Sequence, residues 1–276
     1  MSAALYLIST PIGNLEDITL RALRVLREEV AVIACEDTRQ TQKLLDHFEI
    51  AKPLVSYHDH NEMARTPELI ARLAAGESVA LVSDAGTPLV SDPGYRLVKA
   101  AIDTGIRVVP VPGVSAALAA LSASGLSAGE FRFAGFLPQK SGARRRLLEQ
   151  LKGETATLIV YESPHRILES LEDISSVFGQ RQIVVARELT KLHEEFLRGT
   201  PREILEDLRS RPSIRGEMTL VIARSSETQA TGDPVAEVSK LEATGVERMD
   251  AIKTVARQFG IGKRELYRKI AADSSV

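Results

Sequence analysis

Two short motifs in this sequence bring acidic and basic residues together directly after apolar runs. In E-L-T-K, Glu188 and Lys191 are three residues apart and follow the apolar run 183–186, and in E-D-T-R, Asp37 and Arg39 follow another such run. Charged groups beside buried strands are costly unless they are paired. A carboxylate and an ammonium on one side of a loop can orient a hydroxyl group and stabilise negative charge on its oxygen. A structural ion pair that only shapes the loop is the alternative interpretation.

A third charged motif, Y-E-S-P-H-R at 161–166, adds Glu162 and His165 to the acid–base candidates. The sequence does not choose among the candidates. His58 and His60 flank an aspartate, but no further ligands stand at zinc spacing. We therefore expect no metal site.

Four loop segments, one of them the E-D-T-R motif, each follow a predicted strand, and together they are rich in glycine, proline, serine and aspartate. They cover residues 9–14, 36–39, 83–94 and 110–116. Such residues let the backbone approach a ligand closely, although each segment alone is also compatible with an ordinary turn. Because ligands bind at the carboxyl ends of strands in an open parallel sheet, four such loops on one edge favour a binding site. None matches the glycine pattern of a dinucleotide site or a P-loop.

These motifs require a scaffold of alternating strands and helices. In the first half, strands are predicted at 5–8, 30–34, 54–56, 79–82 and 107–109, and helices at 15–29, 38–48, 67–75 and 94–104. In the second half, strands are predicted at 131–134, 157–160, 183–186 and 219–222, and helices at 142–151, 164–177 and 201–209. The alternation predicts the α/β class, with a mostly parallel first sheet. We expect one α/β domain at 1–116 and a second at 117–224, with a loop-lined cleft.

The C-terminal part of the sequence differs in composition from the rest. Residues 225–234 are small and polar, which is typical of a linker. The segment 235–276 has apolar residues at helical spacing, interrupted by glycines and resumed after Lys263 and Arg264. This pattern predicts a helix-turn-helix module, and a plain two-helix packing element is the alternative.

Two basic clusters are candidates for binding phosphate. Arg144, Arg145 and Arg146 stand in a row, and residues 246–270 carry seven Lys or Arg against three acids. Clustered cations are compatible with nucleic-acid phosphates. They are equally common on solvated helix faces, which is the alternative for each cluster.

The overall composition excludes several classes of protein. The chain has 276 residues, a net charge of −2 and 44% hydrophobic residues, as in soluble globular proteins. Cys35 is its single cysteine, so no internal disulfide can form. No apolar run approaches the roughly 18 residues of a membrane helix, and the N-terminus lacks the pattern of a signal peptide. We expect a cytoplasmic protein that does not engage a membrane.

Seven motifs, in this order along the chain, resemble one family. They are T-P-I-G-N-L-x-D-I-T at 10–19, E-D-T-R at 36–39, S-D-A-G-T-P-L-V-S-D-P-G at 83–94, P-G-V-S-A at 112–116, F-L-P at 136–138, Y-E-S-P-H-R at 161–166 and E-L-T-K-L-H-E-E at 188–195. The sequence is similar here to the 16S rRNA (cytidine-2′-O)-methyltransferases of the tetrapyrrole methylase superfamily. The resemblance covers about residues 5–224, and the basic helical appendix resembles that family's C-terminal module.

The resemblance implies a fold, a reaction and partners. It implies two α/β domains of the tetrapyrrole methylase type with S-adenosylmethionine in the cleft between them, and a homodimer. The expected reaction is 2′-O-methylation of a cytidine ribose in the decoding region of 16S rRNA, as free RNA or in the small ribosomal subunit. Residues expected to line the cofactor site are Ile12, Gly86, Thr87, Val90, Ser115 and Ala116 from the first domain, and Tyr161 and Met218 from the second.

The same resemblance gives roles to the charged motifs. We expect Lys191 and Glu188 beside the methyl group, with Asp37 and Arg39 facing them across the cleft. Arg144, Arg145, Arg146, Lys263 and Arg264 are expected to contact RNA phosphates. A methyltransferase acting on a tetrapyrrole is the main alternative, and a nucleic-acid-binding regulator that senses a small molecule is the second. The basic segments favour RNA, and the charged motifs argue against a sensor.

Overall fold

The computed structural model describes residues 3–225, 233–259 and 261–273. A five-stranded, fully parallel sheet forms the first domain, in the order β3-β2-β4-β1-β5. Its strands are β1 (Ala4–Ile8), β2 (Val32–Cys35), β3 (Leu54–Ser56), β4 (Val79–Val82) and β5 (Arg107–Val111). The strand predictions in this half are confirmed.

Helices cover both faces of the first sheet, which explains why its central strands are apolar throughout. The helices are α1 (Leu20–Arg24), α2 (Thr38–His47), α3 (Glu62–Ala74) and α4 (Tyr95–Asp103). One face packs against α1, the π-helical turn Val25–Glu29 and α2, and the other against α3 and α4. This arrangement leaves the carboxyl ends of the strands free to carry loops.

Two helix predictions in this domain are wrong in detail. The predicted helix 15–29 is divided into a 3₁₀ turn at Leu15–Asp17, then α1, then the π-helical turn, because the Thr19 hydroxyl accepts from the Ala22 N–H and starts a new helix there. Pro67 is not in a first turn, since α3 begins at Glu62.

The second domain contains a mixed five-stranded sheet in the order β6-β7-β10-β8-β9. Its elements are α5 (Ala116–Ser124), β6 (Phe131–Phe136), α6 (Ser141–Leu151), β7 (Thr157–Glu162), α7 (Ile167–Phe178), β8 (Ile183–Arg187), β9 (Glu195–Gly199), α8 (Pro201–Ser210) and β10 (Met218–Ile222). Strand β9 and helix α5 were not predicted. Because β9 pairs antiparallel with β8, the E-L-T-K motif lies in the connection of a hairpin.

The two domains share an apolar cluster. Helix α5 packs on the face of the second sheet opposite α6, α7 and α8. Ile12, from the loop after β1, is buried in the same cluster as Leu189 and Val221. This contact fixes the first loop of one domain against the second sheet of the other. The exact boundary at 116 and 117 stays a prediction.

The C-terminal module consists of three helices around a core of its own. They are α9 (Pro234–Ala243), α10 (Arg248–Gln258) and α11 (Lys263–Asp273). Val238, Ile252, Val255 and Leu266 are buried together. Helix α9 was not predicted, and the predicted pair about the glycine turn corresponds to α10 and α11. Most of the predicted linker, 226–232, lies outside the described residues. Among the helices described, none has the length and apolarity needed to cross a membrane.

Arg144 is a structural residue, which corrects its expected role in phosphate binding. Its side chain is 1% exposed, and its Nε donates to Asp173 Oδ2 at 2.7 Å. Its Nη1 also donates to the carbonyl oxygens of Pro138 and Gln139. Successive residues on a helix point about 100° apart, so α6 turns Arg144 inward while Arg145 and Arg146 stay exposed. Only those two remain in the proposed phosphate-binding cluster.

We predict that Arg144→Met destabilises the protein by about 2–4 kcal/mol, since it leaves the buried Asp173 carboxylate with only the Ser141 hydroxyl and the more distant Arg145 guanidinium. The matched control is Arg146→Met on the same helix, which should change stability by less than about 0.5 kcal/mol because that side chain is exposed. Urea unfolding measures both. Equal stability of the two variants would contradict the structural role.

Candidate active site

The loops after β1, β4 and β5 are joined by hydrogen bonds at the carboxyl edge of the first sheet. Thr10 and Gly86 exchange two backbone hydrogen bonds of 2.9 Å, and the Thr10 hydroxyl donates to the Ser83 carbonyl at 3.0 Å. The Thr87 hydroxyl donates to the Val114 carbonyl at 3.1 Å. The predicted loops at 9–14, 83–94 and 110–116 therefore form one connected surface on one edge of the sheet.

Two glycines are required for this arrangement. Gly86 has a φ of 84°, which is unfavourable for residues with a side chain. A Cβ at Gly113 would lie 2.9 Å from the Cβ of Ser9, so the third loop can approach the first only with glycine there. Both positions come from the motifs that the sequence singled out.

Left-handed backbone is concentrated in two of the candidate loops. Leu89 and Ser91 have φ values of 71° and 69°, and Glu188 and Thr190 have values of 52° and 66°. Only one further non-glycine residue of the described chain, Glu49, has a positive φ. Such conformations cost free energy and persist where the surroundings fix them, which is common at functional sites.

Glu188 and Lys191 form an ion pair in the β8–β9 loop. Lys191 Nζ donates to Glu188 Oε1 at 2.9 Å and to Glu217 Oε2 at 3.1 Å. The same oxygen, Glu188 Oε1, also accepts from the Glu217 N–H at 3.2 Å. A side chain at Gly216 would overlap Glu188, so the glycine makes room for this carboxylate. Glu217 was missed because no pattern in the sequence distinguishes it.

The charges of this cluster reinforce one another. Burial alone would lower the pKa of Lys191, but its hydrogen bonds to Glu188 and Glu217 raise it above its ordinary value. The hydrogen bond from Lys191 is also the main cause that lowers the pKa of Glu188. At neutral pH the lysine is therefore an ammonium and the glutamate a carboxylate. The lysine is suited to stabilise negative charge rather than to accept a proton.

Lys191 reaches from the second domain onto the first. A Cβ at Gly13 would overlap its side chain, so the lysine stem lies directly on the loop after β1. Lys191 and Glu217 line a cavity of about 510 Å³ between the domains. Its other lining residues belong to the first domain: Thr10, Pro11, Ile12, Gly13, Leu15, Gln40, Thr41, Lys43, Leu44, Ser83, Asp84 and Ala85.

Asp37 and Arg39 are not among the residues that line this cavity, in contrast to the expected arrangement. The Asp37 carboxylate caps α2 by accepting from the Arg39 N–H, and it pairs with the Arg39 guanidinium at 2.7 Å. This pairing lowers the pKa of Asp37 to about 2. The Arg39 side chain is 86% exposed. The residues of α2 that line the cavity are Gln40, Thr41, Lys43 and Leu44.

Most residues expected at the cofactor site lie where the loops meet the second domain. Gly86, Thr87 and Ile12 belong to the connected loops, and Ser115 caps α5, which begins at Ala116. Val90 is partly exposed. Tyr161 packs edge-on against Phe133 and Phe136 and accepts a hydrogen bond from the backbone of Ala117.

The Met218 side chain does not face the first domain, which corrects its expected role. It is 2% exposed and packs in the core beneath α6, α7 and α8. Side chains alternate between the faces of a strand. Thr219, which pairs with Tyr161, therefore points to the other face of β10.

Asp92 is a further acidic residue at this edge. Burial is the main cause that raises its pKa to about 6, and the neighbouring charges of Glu36 and Asp84 add to the effect. Its charge also acts on Tyr161 of the second domain. A carboxylate that is half-buried near other acids is costly to ionise, which is typical of functional sites. The S-D-P-G segment contains it, but no spacing rule singled it out.

The remaining acid–base candidates have other positions. Glu162 is buried and binds the Ser163 N–H, the Ser170 hydroxyl and Arg166 Nη2 at 2.6 Å, so it holds its own motif in shape. His165 is exposed. No group of three or more potential metal ligands comes together in the described part of the chain, His58 and His60 included.

Comparison with known proteins agrees with the motifs. The family model described as tetrapyrrole (corrin/porphyrin) methylases matches residues 4–205. A Halalkalibacterium halodurans protein named ribosomal RNA small subunit methyltransferase I is 49% identical over 269 residues, covering 95% of this chain and 93% of that protein. A Pseudomonas aeruginosa protein of the same name is 57% identical over 196 residues, covering 70% and 69%.

The fold has solved relatives as well. A uroporphyrin-III-C-methyltransferase from Thermus thermophilus is 25% identical with a TM-score of 0.57, covering 80% of this chain and 94% of that one. A diphthine synthase structure at 17% identity, with a TM-score of 0.57 and coverage of 80% and 90%, shares the fold. By its family model and its curated relatives, this chain belongs to the tetrapyrrole (corrin/porphyrin) methylase family.

Proposed function

We propose that this protein is an S-adenosylmethionine-dependent methyltransferase that methylates the 2′-oxygen of a cytidine ribose in the decoding region of 16S rRNA. The observation that carries the proposal is the Lys191 ammonium, held by Glu188 and Glu217 in a cavity between the domains. Relatives that are 46–57% identical bear the name ribosomal RNA small subunit methyltransferase I.

The residues at the carboxyl edge fit S-adenosylmethionine, which is cationic at one end and carries an adenine ring at the other. Gly113 allows the loops after β1 and β5 to lie close together, and Gly86 adopts the left-handed backbone of the loop after β4. Ile12, Thr87, Ser115 and Tyr161 would hold the apolar and ring portions. Asp92 would face the cationic portion. When bound, the cofactor supplies a methyl group on a sulfonium that is already activated.

Lys191 and Glu188 have distinct tasks in this proposal. Alignment of the ribose hydroxyl is the main requirement, because the methyl donor needs no further activation. The Lys191 ammonium donates to the ribose oxygen and stabilises the negative charge that develops there as the hydroxyl proton passes to water in the open cavity. Glu188 and Glu217 keep the ammonium charged and fix its position. Asp37 and Arg39 would act at a distance, by fixing the start of α2.

RNA is favoured over a tetrapyrrole by the positive charge outside the cavity. Arg145 and Arg146 are exposed on α6, and Lys263 and Arg264 are exposed on α11. Exposed cations suit phosphates, whose binding releases counterions and depends steeply on salt. A small-molecule sensor would not require the charged cluster around Lys191. We also propose a cytoplasmic location and a homodimer.

Lys191→Met is the variant that tests this function. It removes the ammonium and keeps most of the apolar stem over Gly13. We predict a 100- to 10,000-fold lower rate of methyl transfer to undermethylated small subunits, as is typical for the loss of such a catalytic group. Affinities for cofactor and RNA should change little.

Lys152→Met is the matched control, since Lys152 is an exposed lysine at the end of α6. Its rate should equal that of the unaltered protein. Urea unfolding of both variants shows whether a lower rate of methyl transfer comes from the loss of the ammonium group or from a loss of stability. A stable Lys191→Met protein whose rate falls by less than about threefold would remove Lys191 from the chemical step.

Asp92→Asn tests how much the ionised Asp92 carboxylate destabilises the folded protein. The folded-state pKa of about 6 lies above the ordinary 3.8, so the contribution of Asp92 to stability is present at low pH and is lost as the pH rises between these values. We predict that the variant gains about 1–2 kcal/mol at pH values well above 6, less than the roughly 3 kcal/mol of the full shift because solvent screens a half-buried carboxylate, and nothing near the ordinary pKa. It should also bind S-adenosylmethionine more weakly in calorimetry. If Asp92→Asn and the unaltered protein were equally stable at both pH values, the raised pKa of Asp92 would be refuted.

A further inference from the structure

A groove of about 390 Å³ lies between α10 and α11 of the C-terminal module. Met249, Ile252 and Tyr267 supply its apolar surface. Its remaining lining residues are cations: Lys253, Lys263, Arg264 and Arg268. The groove therefore combines apolar surface with four positive charges and no lining carboxylate.

Of the three apolar lining residues, Ile252 belongs to the core of the module, whereas Met249 and Tyr267 do not. Tyr267 is 55% exposed and Met249 is 49% exposed, whereas the core residues around them are buried. A half-exposed aromatic ring beside an exposed methionine is available to a partner that offers a flat apolar face.

The cations of the groove are largely available as well. Lys253 pairs with Asp250 at 2.7 Å. Within the described part of the chain, Lys263, Arg264 and Arg268 make no ion pair; Arg268 Nε donates only to the Arg264 carbonyl, at 3.4 Å. Spacings of four on α11 place Lys263 beside Tyr267 and Arg264 beside Arg268. The charges thus flank the ring on one helical face.

We propose that this groove binds an unpaired base of single-stranded RNA, which stacks on Tyr267 while Lys263, Arg264 and Arg268 neutralise the flanking phosphates. The inference rests on the proposed function, and it adds the stacking of a base to the phosphate contacts expected of Lys263 and Arg264. An aromatic ring within a basic groove is the usual combination for single strands. A helix that reads a duplex instead presents polar side chains to base edges.

The test uses the full-length protein and a short single-stranded RNA of decoding-region sequence that carries one 2-aminopurine. Stacking on Tyr267 should quench the fluorescence of that base. Tyr267→Ala should weaken binding about 5- to 100-fold, the range for loss of one stacked base. Tyr267→Phe keeps the ring and should bind within about twofold of the unaltered protein. Tyr95→Ala, an exposed tyrosine of the first domain, is the matched control and should change nothing.

Three results would overturn the proposal. They are equal affinity of Tyr267→Ala and the unaltered protein, tighter binding of the same sequence as a duplex, and displacement of the RNA by polyglutamate at equal charge concentration. Circular dichroism of each variant confirms that the module is folded. The quenching assay requires no methyl transfer. Loss of stacking with intact methylation would refute this inference alone, and stacking without methylation would refute the proposed function alone.

Discussion

The ammonium group of Lys191 is held between two carboxylates of the second domain while its stem lies on Gly13 of the first. This contact places the charged loop of one domain on the connected loops of the other. Burial lowers the pKa of the lysine, and the paired carboxylates outweigh this effect and raise the pKa above its ordinary value. An ion pair such as Lys191 and Glu188 would contribute little to stability on an open surface. In the cavity between the domains it fixes a positive charge at the point where we propose that negative charge develops.

The structure around this contact stabilises residues whose backbone is in the left-handed conformation. The β8–β9 hairpin fixes both ends of the loop that contains Glu188 and Thr190, and the shared apolar cluster buries Leu189 between them. On the other side, the hydrogen bonds of Thr10 and Thr87 hold the loops after β1, β4 and β5 together. The free energy that these conformations cost is offset by burial around them. The half-buried Asp92 carboxylate also destabilises the folded protein when it is ionised, because burial raises its pKa.

The sequence predicts structure well where a local pattern of residue types determines it. Apolar runs predicted nine of the ten strands, and glycine and proline marked the loops at the carboxyl edge. Helix α5 was missed because A-A-L-A-A-L-S-A-S is apolar on all sides and lacks a helical period. Strand β9 was missed because charged residues at 194 and 195 conceal its start. Arg144 and Met218 were misassigned because a motif does not specify which face a helix or strand turns inward. Glu217 and Asp92 gain significance only from neighbours that are distant in the sequence.

The position of the methyl group on the product tests the proposed ribose methylation most directly. Undermethylated small subunits, isolated 16S rRNA and a porphyrin precursor are each incubated with the protein and S-adenosylmethionine labelled in its methyl group. The RNA is then digested to nucleosides and analysed by mass spectrometry. We predict label on the ribose of a single cytidine in the decoding region and none on the porphyrin. Label on a base, or on the porphyrin in preference to RNA, would contradict this prediction.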